Sequence, residues 1–149
     1  MDRGMANKKS GLQTDYFKNG QKEREVTYKD GMPVGLWTEW FENGTERFRH
    51  TFKDGKQVGL STMWYKNGQK EYEGTYKDGK LMSVEVWKPN GQKCPVTKID
   101  EDGNGVVVWY RKDGIEGGRF TYKDGKKDGL STWWHENGEK EREGNFKDG

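Results

Sequence analysis

Turn pairs recur through this chain on two interleaved beats, and that rhythm leaves little freedom of fold. Asn-Gly or Asp-Gly pairs place glycines at Gly20, Gly44, Gly68, Gly91, Gly114 and Gly138, spaced 24, 24, 23, 23 and 24 residues apart. A second Asp-Gly series falls at Gly31, Gly55, Gly79, Gly103, Gly125 and Gly149, spaced 24, 24, 24, 22 and 24. Self-similarity of this kind marks a repeat architecture, in which each unit buries its apolar surface against its neighbours. The runs between turns are short and rich in Thr, Trp, Tyr and Phe. Those residues favour a pleated strand, and Asn-Gly between two such runs is a hairpin signal. A helix would be broken every 11 to 13 residues. The prediction is an all-β fold: one elongated, twisted and rolled antiparallel meander of six hairpin repeats. Residues 1–10 read as an N-terminal tail or leader. The repeat domain is 11–149, in units of approximately 11–34, 35–58, 59–81, 82–104, 105–128 and 129–149.

Composition decides what can hold such a meander together. Only 29% of residues are hydrophobic and 35% are charged, so a thick two-layer core is not expected. Order must come from 7 Trp, 7 Tyr and 6 Phe, since each large ring contributes about 1.5–3 kcal/mol when fully buried. The 27 basic and 25 acidic residues are interspersed, which gives no electrostatic footprint for nucleic acid and no basic patch for a membrane surface. A lone Cys94 fits a reducing compartment. No apolar run approaches spanning length and residues 1–10 hold no signal-peptide apolar stretch, so a cytoplasmic location is expected.

Two ring columns suggest the faces. Tyr16, Trp40, Trp64, Trp87, Tyr110 and Trp134 stand three residues before each turn Asn or Asp, and Tyr28, Phe52, Tyr76, Tyr122 and Phe146 form the second column. A three-residue loop with glycine in the left-handed bulge position would put both columns on one side. On that reading Leu36, Thr38, Trp40, Phe48, His50 and Phe52 share a buried face. The opposite face would carry recognition: Trp37, Phe41, Arg47, Arg49, Tyr65, Trp109, Arg111, Trp133 and His135 are the candidate partner-binding residues. Repeat four departs from the spacing and holds Pro89 and Pro95, which predicts a bulge or a bend there.

Catalytic motifs are missing. His50 and His135 lack companions at metal-ligand spacing, Cys94 lacks a partner that would mark a nucleophile, and no phosphate-binding loop occurs. Asp100, Asp102 and Asn104 match the start of a calcium loop, but the twelfth place is Arg111 where a bidentate Glu belongs. The recurrent Glu and Lys, including Glu23, Lys70, Glu71 and Glu141, read as a solvated face. No enzymatic activity, resident metal or cofactor is expected.

The segments GLWTEWFENG at 35–44, GLSTMWYKNGQKEYEGTYKDGK at 59–80 and GLSTWWHENGEKEREGNFKDG at 129–149 resemble the bacterial variant of the membrane occupation and recognition nexus (MORN) repeat. The resemblance runs over 11–149 and is poorest in repeat four. Chains of this variant are similar to YwqK-like antitoxins, which implies an immunity protein that binds and neutralises a protein toxin domain. The alternatives are a scaffolding repeat protein associating through an end strand, or a binder of lipid or glycan surfaces.

Overall fold

A computed structural model describes residues 9–149, and the N-terminal tail expected at 1–10 falls mostly outside them. The described chain is an antiparallel hairpin meander, as the turn spacing requires. In chain order its strands are β1 (Gly11–Tyr16), β2 (Lys22–Lys29), β3 (Met32–Trp40), β4 (Glu46–Lys53), β5 (Lys56–Gln57), β6 (Gly59–Trp64), β7 (Lys70–Lys77), β8 (Lys80–Val86), β9 (Lys98–Ile99), β10 (Gly105–Tyr110), β11 (Glu116–Lys123), β12 (Lys126–Trp134) and β13 (Lys140–Phe146). Strands β1 to β8 form one sheet, in which β5 pairs only with β4; β9 to β13 form a second. The break falls at the irregular fourth repeat.

The two turn series have different geometry. Asp30-Gly31, Asp54-Gly55, Asp78-Gly79 and Asp124-Gly125 have positive φ at both residues (51° and 83° in the first), the two-residue hairpin turn that matches strand twist. The Asn-Gly turns are three-residue loops. In repeat two Gly44 N–H donates to Phe41 O at 2.9 Å and Phe41 N–H to Thr45 O at 2.8 Å, with Gly44 at φ 88°. Asp102-Gly103 belongs to this second type, since Gly103 donates to Asp100 O at 3.0 Å. The lost beat in repeat four is thus an exchange of turn type.

In the first three of these loops asparagine does two jobs. Its Oδ1 accepts the amide two residues on, as from Gln69 to Asn67 at 2.9 Å, and its Nδ2 donates to the next repeat's loop. Asn19 reaches Glu42 O at 2.9 Å, Asn43 reaches Lys66 O at 3.3 Å and Asn67 reaches Pro89 O at 3.0 Å. Aspartate keeps the first bond and loses the second. Asn67→Asp is expected to cost about 1 kcal/mol, measured as a lower urea midpoint at unchanged slope.

The expected faces are corrected by a second irregularity. The Asn-Gly loop has the predicted form, but one pair further along Trp40 faces Glu46 while Glu39 faces Phe48. One residue, Arg47, is extra. The same bulge recurs at Glu23, Glu71, Gly117 and Glu141, and each reverses the parity that the loop had set. Leu36, Thr38 and Trp40 therefore lie on one face, and Phe48, His50 and Phe52 on the other with Trp37 and Glu39. The face of Leu36 is outward: Leu12, Leu36, Leu60 and Leu130 are all exposed.

The inward faces of the two sheets meet around Leu81, Val86 and Val107, packed by Tyr72, Tyr76 and Tyr122. Thr97 Oγ1 accepts from Val108 N–H at 2.9 Å and donates to Cys94 Sγ at 3.4 Å, while Tyr110 Oη donates to Cys94 Sγ at 3.1 Å. The segment carrying Cys94 and Thr97 thus covers the far side of β10. With both sides covered, β10 reads as the continuous apolar run Val106-Val107-Val108 where other repeats alternate. A small core, absent from the composition-based expectation, joins the sheets at this point.

Candidate functional site

Reversal of the faces gathers the rings into a trough. Trp37 packs on Phe52 with centroids 5.8 Å apart, Phe48 stacks on His50 at 4.5 Å, and Trp133 meets Phe120 edge-on at 5.4 Å and Phe146 at 6.3 Å. These rings are half-buried. Three of the sequence-predicted residues, Trp37, Trp109 and Trp133, sit here, beside the ring column that had been assigned to the other face.

The remaining candidates disperse. Phe41 and Arg47 adjoin at one loop, with the guanidinium 5.9 Å from the ring centroid. Arg49 is on the outward face, paired with Glu46 at 2.6 Å. Tyr65 is buried and donates its hydroxyl to Trp87 O at 2.7 Å, which takes it off any contact surface. Arg111 and His135 converge on Glu141, at 4.0 and 3.9 Å. At the calcium-like turn, Asp100 Oδ1 accepts the amides of Asp102 and Asn104 at 3.0 and 2.9 Å, and Asn104 Oδ1 accepts that of Asp124 at 3.0 Å. Among the described residues no three His, Cys, Asp or Glu side chains gather at metal-binding spacing.

A cleft of about 440 Å³ lies where the trough crosses from one sheet to the other. His50, Met63, Glu71, Tyr72 and Tyr76 line it from the first sheet; Trp109, Phe120, Tyr122 and Lys127 line it from the second. Its form comes from repeat five, where Gly117-Gly118 replace the bulge residue and its neighbour. A Cβ at Gly117 would stand 2.6 Å from Trp109 Cζ3, and one at Gly118 would collide with Trp109 Nε1. The missing side chains let the indole lie down on the strand. Gly118→Ala is expected to lift the ring and lower stability by about 1–3 kcal/mol, with the Trp109 indole resonance displaced.

Burial governs the cleft's charges. It pushes the Glu71 carboxyl up to about 7, against the opposing pull of Arg47. It lowers His50 to about 4, and the neutral ring bonds Ser61 Oγ through Nδ1. It also lowers Lys127, whose ammonium rests 4.2 Å from the Phe120 centroid and 5.5 Å from that of Phe146. Glu71, expected to decorate a solvated face, is half-buried instead. Lys70 and Glu73, either side of the bulge, do form such a surface pair at 2.7 Å. Nothing in the composition distinguishes Glu71 from the bulge residues Glu23 and Glu141, which are exposed; its place at the cleft between the two sheets does.

Among known families, the MORN repeat variant matches residues 9–30, 57–78 and 127–148. Each match spans one Asn-Gly loop with the strands on either side of it, two in the first sheet and one in the second. No curated protein matches the chain.

Proposed function

We propose that this chain, built of MORN-variant repeats, is a binding protein that receives another protein in its ring-lined trough, and that it acts as an immunity partner of a toxin domain. The observation that carries the binding reading is the row of half-buried Trp, Phe and Tyr along one continuous inward face. Large rings with one side uncovered are the residue type enriched at the energetic centres of interfaces. The matched repeat supports an interaction role, and the immunity role rests on the likeness of such chains to YwqK-like antitoxins. Neutralisation on this reading needs no bond-making. Covering the toxin's catalytic groove suffices, in the cytoplasm where both would be made.

The test is co-expression with the product of a neighbouring toxin-like gene. Rescue of growth together with a co-purifying complex is expected. Growth arrest undiminished by the chain would contradict the immunity role. A scaffolding role is favoured by a separate observation: among the described residues β1 and β13 each pair on one side only, and such strand edges suit β-augmentation. Light scattering that shows a stable homo-oligomer, with no second protein required, would favour that reading.

A further inference from the structure

We infer that the cleft between the two sheets is a binding site for an organic cation, a guanidinium or alkylammonium group, held between the Glu71 carboxylate and the rings of Tyr72, Trp109 and Tyr122. Size comes first: about 440 Å³ lies within the range of ligand-sized clefts. Chemistry comes second. Aromatic faces attract cations through their quadrupoles, most strongly where water is excluded, and this cleft already shows the effect with its own ammonium, Lys127 over Phe120. Third, Glu71 is left wanting. Among the described residues its carboxylate has no ion pair within 4 Å and accepts no hydrogen bond; Arg47, the charge that bears on it, lies 4.0 Å from Glu39 instead. Half-buried carboxylates without a partner are costly, and an incoming cation would remove that cost.

The other charged groups in the cleft leave room for this. Lys127 is on the opposite wall, held against the rings of Phe120 and Phe146, and His50 is neutral and bonded to Ser61. The indole of Trp109 lies flat because of Gly117-Gly118, so the ring that closes one wall is placed by a substitution peculiar to repeat five. The inference deepens the partner-binding reading, and rests on it only for the source of the cation. A basic side chain of the partner protein and a free small cation share the same chemistry.

The experiment uses the whole chain at pH 8, followed by calorimetry and by the Trp109 indole N–H resonance. The probes are butylguanidinium, its neutral isostere butylurea, and the capped peptides Gly-Arg-Gly and Gly-citrulline-Gly. Saturable binding of the two cationic probes is expected, at least tenfold tighter than of the neutral ones, with the Trp109 resonance moving. Glu71→Gln should weaken the cationic probes at least tenfold and leave the neutral ones unchanged. Tighter binding of the peptide than of butylguanidinium supports a side-chain source, and the reverse supports a small-molecule source. Equal binding of butylguanidinium and butylurea, or an unaltered affinity in Glu71→Gln, would overturn the site. Either result would leave toxin co-purification to be judged on its own, so the two readings fail separately.

Discussion

Replacing Leu81 with alanine is expected to remove about 2–5 kcal/mol of stability, because a fully buried side chain leaves a cavity that its neighbours cannot close. Leu81 is 0% exposed and packs in the cluster that contains Val86 and Val107. Its amide also donates to Gly125 O at 2.8 Å, a backbone bond between the first sheet and the second. At about 2–4 °C per kcal/mol for a chain of this size, the midpoint should fall by roughly 5–15 °C. The loss should also be local. Repeat proteins are stabilised chiefly by contacts between adjacent units, so hydrogen exchange should accelerate first in β8, β10 and β11 while β2 and β3 hold their protection. Uniform acceleration throughout would show that the junction is no more than one contact among many.

Neutralising Glu71 should have the opposite sign. Its carboxyl is raised from 4.5 to about 7 by burial, so the folded chain binds a proton there that the unfolded chain has released. Stability from this group is full below about 4.5 and is lost as pH rises through 7. His50 is lowered from 6.5 to about 4, so its contribution is full above 6.5 and is lost as pH falls toward 4. Between about 4.5 and 6.5 the two slopes oppose one another and nearly cancel. Glu71→Gln removes one of them. The variant should match the parent near pH 4.5 and be more stable at pH 8 by about 1–3 kcal/mol, a figure reduced for the partial exposure of the group. Urea melts at the two pH values read this difference directly. Equal stabilisation at both would mean that the gain is not one of charge.

What was legible in the sequence was whatever a single residue type enforces. Glycine after Asn or Asp fixed both turn series, and aromatic runs between them fixed strands. The departures of repeat four marked where the meander breaks. Faces were not legible, because the bulge that reverses them falls on Glu23, Arg47, Glu71, Gly117 and Glu141, four of them charged residues of the kind that also fill the strand positions beside them. A strand bulge is a matter of backbone hydrogen bonding, and any residue in a half-exposed place can take it. The same bulge decides which rings meet at the site. Trp37, Trp109 and Trp133 fall on the expected recognition face and Phe52 and Phe146 in the expected buried column, although all five share one trough with Phe120. The cleft left one overlooked trace in Gly117-Gly118, where two bulky or charged places of the repeat fall empty at once.

The account depends on the trough being the working surface, and paired variants compare the faces most directly. Trp37→Ala with Trp133→Ala strips rings from the inward face; Leu36→Ala with Leu130→Ala strips exposed residues from the outward face. With folding verified by circular dichroism, each pair is measured for affinity toward the co-purified toxin domain. The inward pair should weaken binding at least a hundredfold, as loss of two interface rings does, and the outward pair should change it less than threefold. Full affinity in the inward pair, with binding lost in the outward pair, would contradict the account.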